Sequence, residues 1–551
     1  MVLDYKDYDK LISYNKKRTR LHTVIFVLFC AITISTILFV VSWRNNTHLQ
    51  ELLASLKFDE TARFIDSHYF FFHQQNAGEA RALLKLVKEP DSPADEYFSE
   101  NLPGSLPSYW NKYVEYFLQI GNYHASKAYV DYLSANFSND ELNDYKCISA
   151  TILNNFTSSD NCLSGIKTAT VKKYASILID AERSKKYNWI FDRNGIPLIY
   201  KNLINNQVEY YYDEIKWLKP EMLLLKEKDH YNRIFLTLDM VTQKAAYKAL
   251  GKYEGSLILM GKNGNLIALV SKENDKGTPM FFRLLKPGSI IKIVTSSAAF
   301  RNKVDLSKVF PIECKGFIVL FDKLIFYDWI EHKTVNSIVE ALSVSCNISF
   351  GIIGHALKIN ALKKELENFG INRKIKLEAV EFDAGKIIDN SADPAYEYSL
   401  AIGDKYVMVT PLLSILWASS LINDGIAMSP FMMQEIKSIT GNSYKTSKEE
   451  IFQKFTHKDY LPQIKEGMVN AVETESGTGK KVRLSHCRIA LKTGTAGEKT
   501  PDYDSVIIGY APVENSQVAF SLFALHAGRA SQEGTRIIKE FLSDALPQQL
   551  K

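Results

Sequence analysis

The longest apolar run lies near the N-terminus. Residues 24–41 read VIFVLFCAITISTILFVV, and Ser42 and Trp43 extend the stretch to about 20 residues, the length a helix needs to cross a bilayer. Lys16, Lys17, Arg18 and Arg20 precede it, while only Arg44 follows closely. That asymmetry predicts a cytoplasmic N-terminus, a single pass and everything after about residue 44 outside, with Trp43 as an interfacial anchor. A cleaved signal peptide would have an apolar core of about 7–15 residues and a small-x-small site. This run is longer and Trp-Arg-Asn-Asn-Thr follows it, so an uncleaved anchor is expected: residues 1–23 a tail, 24–43 the span.

From about residue 44 to 185 the apolar positions recur at three and four, as in Leu49, Leu52, Leu53 and Leu56, and again in Ala80, Ala82, Leu83 and Leu86. This pattern predicts helix after helix. A turn signal, Glu89-Pro90-Asp91-Ser92-Pro93, separates two runs. Residues 110–137 resemble one tetratricopeptide-type helical hairpin, with Gly121-Asn122-Tyr123 at its turn and Ala128 in the second helix. Cys147 and Cys162 are close enough in sequence to pair if the compartment is oxidising.

The pattern changes at Trp189. WIFDRNGIPLIY reads as strand, turn at Asp192-Arg193-Asn194-Gly195, and strand, opening a short module or linker over 186–232. From 233 onward strands and helices mix. FLTLDMVTQKAAYKAL (235–250) predicts a strand and a helix, and SLILMGKNGNLIALVS (256–271) a hairpin through Asn263-Gly264. Thr410-Pro411-Leu412 opens an apolar helix ending near Asn423-Asp424-Gly425. Val518–Leu525 predicts a strand, and Thr535–Leu542 a closing helix. The expected class is α+β: a helical domain, then a domain over 233–548 with a central antiparallel sheet flanked by helices.

Composition narrows the function. Hydrophobic residues at 46% and charged residues at 23% mark a folded protein. A net charge of +5 over 551 residues gives no argument for nucleic-acid binding. The six cysteines form no C-x-x-C pair and no Cys/His group at zinc spacing, so neither a metal nor another cofactor is expected.

Three short motifs carry candidate chemistry. Lys286-Pro287-Gly288-Ser289-Ile290-Ile291-Lys292 holds Ser-x-x-Lys after a Pro-Gly turn. On a helix, Ser289 and Lys292 share a face, and a serine hydroxyl becomes a nucleophile when an adjacent base takes its proton. A lysine serves as that base only if burial and neighbouring cations lower its pKa. Ser345-Cys346-Asn347 follows 56 residues later, at the end of an apolar helix. Lys492-Thr493-Gly494-Thr495-Ala496 follows 147 residues after Ser345, on the apolar strand begun by Arg488-Ile489-Ala490-Leu491. Each alone is a common polar turn or strand end.

In this order the three resemble the motif set of serine β-lactamases and penicillin-binding proteins. The flanks agree: the 235–271 segment, Gly477-Thr478-Gly479, and Gly509-Tyr510-Ala511-Pro512. The Asp-Arg-Asn-Gly turn resembles the segment at which high-molecular-mass penicillin-binding proteins enter their non-catalytic module. The chain is therefore similar to class B, monofunctional D,D-transpeptidases, over about 233–545. It departs from them in having Ser505-Val506-Ile507-Ile508 where Trp-Phe is usual before Gly-Tyr-Ala-Pro, a short segment between Ser271 and Arg283, and a reduced non-catalytic module.

The resemblance implies roles. Ser289 is the nucleophile and Lys292 its base. Ser345 relays a proton and Asn347 orients the substrate amide. Lys492, Thr493 and Thr495 hold the terminal carboxylate, while Gly494 leaves room for the donor to lie along the strand. The backbone N–H groups of Ser289 and Thr495 form the oxyanion hole. The substrates implied are peptidoglycan stem peptides, with β-lactams as mimics, at the outer face of the inner membrane beside a separate membrane glycosyltransferase. The rivals are hydrolysis, by a D,D-carboxypeptidase or β-lactamase, and a non-catalytic scaffold or receptor that binds stem peptide or β-lactam.

Overall fold

The computed structural model describes residues 5–67, 74–88, 106–119, 122–153, 162–223, 232–273, 277–321, 324–438, 443–446, 448–497 and 502–549. The turn expected at Glu89–Pro93 and the Gly121 of the hairpin turn lie outside them. The chain divides into two compact units, one over residues 1–187 and one over most of 188–551.

The first unit is helical. Tyr5–Ala54 is one helix of 50 residues. Residues 24–40 present their large apolar side chains half or more exposed, on a helix long and apolar enough to cross a membrane. Toward its end Leu49, Leu52 and Leu53 turn inward and are buried. The expected periodicity stops one step early, because Leu56 lies past the helix end with φ +56°. Trp110–Gln119 and Tyr123–Ser134 are two successive packed helices, and the side chain of Asn122 caps the second by accepting from Ala125 N at 2.9 Å. Buried Glu79 accepts from the hydroxyls of Tyr109 and Tyr129 at 3.2 and 2.8 Å. Cys147 and Cys162 form a disulfide.

The second unit is built on a five-stranded antiparallel sheet in the order Ala490–Ala496, Asp504–Ala511, Val518–Ala524, Gly255–Gly261, Leu266–Lys272. Its strands are buried almost end to end because both faces are covered, and the polar residues they carry, Lys492 and Thr493 among them, are buried with them. Met240–Leu250 and Thr535–Gln549 join the sheet in one core of Leu257, Leu259, Phe520, Leu522, Ile538 and Phe541. Pro411–Ile422, all of it buried, also packs on the sheet and is tied to it by a 2.6 Å hydrogen bond between Ser414 and Ser521.

A second sheet, of six shorter strands, includes Lys186–Phe191, Pro197–Asn202, Arg233–Leu236 and Met433–Lys437. The Asp-Arg-Asn-Gly turn has a local function here. Asp192 accepts from Asn194 N and Ile196 N at 2.8 Å and from Met240 N at 3.1 Å. Asn194 donates to Asp239, whose side chain caps helix Met240–Leu250. One carboxylate thus folds the turn and fixes the helix start beside the central sheet.

Candidate active site

Ser289 sits in a single 3-10 turn, Gly288–Ile291, that runs into helix Lys292–Arg301. The turn packs against the edge strand Ala490–Ala496. Gly288 has φ +53°, and a Cβ there would lie 2.9 Å from Thr495 O. A Cβ on Gly494 would lie 2.7 Å from Pro287 O and 3.1 Å from Ser289 N. The missing side chain of Gly494 therefore makes room for the nucleophile's own turn, a demand beyond the expected one of room for the donor. Among the described residues Ala490–Ala496 is an edge strand, paired on one side with Asp504–Ala511, which leaves the other side for an added strand.

The second motif lies between two helices. Ile338–Val344 ends at Ser345, which takes the left-handed conformation at φ +60°, and Cys346 caps the next helix, Asn347–Asn368. This sharp reversal points the motif inward. Lys292 is fully buried, and its Nζ lies 2.7 Å from Ser345 O, 2.7 Å from Asn347 Oδ1 and 3.4 Å from Ser345 Oγ. Lys492 is equally buried, and its Nζ donates to Ser345 Oγ at 2.8 Å and to Thr493 O at 2.7 Å. Burial pushes Lys292 down to about 8, against the nearby Asp328 carboxylate and the Cys346 and Cys314 thiols. Burial, then the charge of Lys292, pushes Lys492 well below an ordinary lysine.

Beside the two buried amines lies a cleft of about 320 Å³ lined by Ser289, Ser345, Asn347, Thr493 and Thr495. Thr493 Oγ1 donates to Thr478 Oγ1 at 2.7 Å, and Thr495 Oγ1 accepts from Ala530 N at 3.2 Å. All eight expected residues are therefore gathered at one place. The cleft also contains Trp329, Tyr503, Arg529 and Ser531, with the Arg529 guanidinium 6.0 Å from the Trp329 ring centroid. No motif marked these in the sequence.

The sequence also hid a cluster behind the second motif. Cys314, Asp328, His332 and Cys346 bring one ligand atom each to within 4.8 Å of the others. Their spacings of 14, 4 and 14 residues match no local zinc pattern, so the cluster is visible only once the chain is folded. Asp328 Oδ2 accepts from Asn347 N at 2.9 Å and Ile348 N at 3.3 Å. Burial pushes its carboxyl up, but the His332 hydrogen bond and the Lys292 charge outweigh that and hold it well below the usual carboxylate range.

Comparison with known proteins fits this geometry. The family model for the penicillin binding protein transpeptidase domain matches residues 255–546. The chain belongs to the penicillin-binding protein transpeptidase family. It is 25% identical over 336 residues to the peptidoglycan D,D-transpeptidase PbpA of Mycolicibacterium smegmatis, covering 53% of this chain and 67% of that one. It is 22% identical over 385 residues to the peptidoglycan D,D-transpeptidase MrdA of Haemophilus influenzae, covering 57% of each. The chain spans from about half to two thirds of the length of such relatives. Among solved structures, the D,D-transpeptidase domain of an Eggerthella lenta peptidoglycan glycosyltransferase superposes with TM-score 0.58 at 19% identity, over 66% of this chain and 99% of the other. The ceftriaxone acyl-enzyme of Mycobacterium tuberculosis penicillin-binding protein A gives 0.58 at 18%, over 66% and 99%. This likeness extends the fold beyond the family-model match.

Proposed function

We propose that this penicillin-binding protein is a peptidoglycan D,D-transpeptidase acting through a serine acyl-enzyme. The observation that carries the reading is the pair of buried lysines converging on Ser345 Oγ, next to Ser289, at a free sheet edge. The stem peptide adds to that edge as an extended strand. Ser289 Oγ attacks the carbonyl between the two terminal D-alanines while neutral Lys292 takes its proton. The N–H groups of Ser289 and Thr495 receive the developing oxyanion. Support for that pairing is the glycine-to-backbone approach of the two segments.

Ser345 passes a proton to the leaving D-alanine, Asn347 orients the substrate amide, and Lys492, Thr493 and Thr495 bind the terminal carboxylate. An amine from a second stem peptide then resolves the acyl-enzyme and leaves a crosslink. β-Lactams acylate Ser289 by the same route. The helix Tyr5–Ala54 anchors the protein in the inner membrane with its N-terminus in the cytoplasm. Its domains follow as a helical region to 185, a linking module over 186–232 and the transpeptidase domain over 233–548. A separate membrane glycosyltransferase supplies the glycan strands.

Two measurements test this. Fluorescent penicillin should label the full chain and fail to label Ser289→Ala. Incubation with a stem-peptide donor and an amine acceptor should yield crosslinked product and free D-alanine. Hydrolysed donor without crosslink would instead establish a carboxypeptidase, and a folded protein that takes no penicillin would establish a scaffold.

A further inference from the structure

We propose that Arg529 is a specificity-determining residue of the cleft and binds a free carboxylate on the donor stem, upstream of its two D-alanines. The inference rests on the transpeptidase reading and names what that site selects.

The direction of the donor is the first argument. With its scissile carbonyl at the N–H groups of Ser289 and Thr495 and its terminal carboxylate at Lys492 and Thr493, a donor on this edge runs antiparallel to Ala490–Ala496. The part of the stem before the D-alanines therefore leaves past Thr495 and Ala496. Arg529 stands at that end. Its neighbour Ala530 donates from N to Thr495 Oγ1 at 3.2 Å. Ala496 pairs with Asp504, which follows Tyr503, a residue of the cleft.

The way Arg529 is held is the second argument. Its loop is fastened to the strand beside the edge: Gly528 N donates to Tyr503 O at 2.8 Å, and Ser505 Oγ donates to Gly528 O at 2.8 Å. From this wall the guanidinium reaches toward Trp329, 6.0 Å from the ring centroid. Trp329 is fixed in turn, because its Nε1 donates to Val344 O at 3.3 Å, next to the second motif. A guanidinium within about 6 Å of an indole centroid is attracted to the ring. That attraction uses no oxygen acceptor, so the N–H fork that suits a carboxylate is still to be satisfied.

Charge is the third. Among the described residues the Arg529 side chain has no ion pair and no hydrogen bond. Asp328 is the one carboxylate among the described residues lining the cleft. Its side chain is 0% exposed, and its Oδ2 accepts from Asn347 N and Ile348 N. Glu533, four residues past Arg529, pairs with Arg536 at 2.8 Å. A permanent positive charge thus stands where the stem leaves the cleft. A donor that brings a carboxylate there gains a charge-assisted pair, and a donor that brings a bare amine meets like charge. Tyr503 and Ser531, half-buried in the same cleft, add hydroxyl donors. A stem peptide can offer the carboxylate at two places: the α-carboxylate of a γ-linked D-glutamate at its second position, or the side chain of the diamino acid at its third.

The test uses the full chain in detergent and three donors of one length, each acetylated on its side-chain amine so that only carboxylates vary. The reference donor has D-isoglutamine at the second position and Nε-acetyl-lysine at the third. One of the others restores the second-position carboxylate with D-isoglutamate. The last places a carboxylate on the third side chain with acetylated diaminopimelate. Release of D-alanine gives kcat/KM for each. At least one carboxylate donor should exceed the reference by about tenfold or more, the worth of hydrogen bonds between charged groups, and which one does so identifies the carboxylate bound. Arg529→Met should bring that ratio to within about twofold of one, and Arg529→Lys should restore part of it. The ratio compares donors on the same protein, so a partly unfolded variant still reports it. Wild type that turns over all three donors equally would overturn the proposal and leave the transpeptidase reading in place. So would a ratio that survives in Arg529→Met. Wild type that takes neither fluorescent penicillin nor any donor would overturn both.

Discussion

Two amines compete for one hydroxyl at Ser345. Their positions place the two nitrogens at most about 6 Å apart, where two full charges repel by about 3 kcal/mol at an effective dielectric near 20. Burial adds to that cost, so the pair does not carry two protons near neutrality. The chemistry requires Lys292 to be neutral, and Lys492, Asp328, Cys346 and Cys314 are the charged or titratable groups facing it. The neutral fraction of Lys292 grows as pH rises toward about 8. Penicillin acylation, measured by stopped flow, should therefore rise about tenfold per pH unit below that value and level off above it. A profile flat between pH 6 and 8 would remove Lys292 from the role of base. Lys292→Ala should slow acylation by about 10²–10⁴-fold, the usual worth of a positioned base, while circular dichroism shows the fold retained.

At the scale of elements, the site depends on one close contact between the turn Gly288–Ile291 and the strand Ala490–Ala496. Gly494→Ala would push a methyl to 2.7 Å from Pro287 O, and backbone on both sides leaves little room to yield. Such overpacking costs about 1–3 kcal/mol. The expected result is a lowered denaturation midpoint together with at least a tenfold loss of acylation rate, since the turn carries Ser289. Acylation at the wild-type rate would show that the two segments separate freely. This contact also marks what sequence could reveal. Helix starts, the Asn263-Gly264 hairpin and the three motifs were readable because each is set by neighbours in sequence. The packing demand on Gly494 was not readable, because the segment that approaches it is about 200 residues away. The cluster of Cys314, Asp328, His332 and Cys346 was invisible for the same reason: its members come from a strand end, a loop and a helix start, and no spacing rule covers that path. Trp329 and Arg529 belong to loops that meet at the cleft only after the sheet is assembled.

Across the whole molecule, the two units draw stability from different sources. The transpeptidase unit has a sheet buried on both faces, whereas the first unit contains helices of 10–16 residues after its long N-terminal helix, lengths that are marginal without tertiary packing. There the Cys147–Cys162 bridge matters most. Closing a loop of about 15 residues removes roughly 3 kcal/mol of unfolded-state entropy. The double substitution Cys147→Ser, Cys162→Ser should lower the stability of this unit by about 2–4 kcal/mol, read as earlier urea unfolding in the far-ultraviolet helical signal. Every residue assigned to acylation belongs to the other unit. Penicillin acylation of the same variant, measured before unfolding begins, should thus stay within about twofold of wild type. A large loss of acylation with the helical signal still intact would mean that the helical unit controls the catalytic cleft, and the site could no longer be described from its own residues alone.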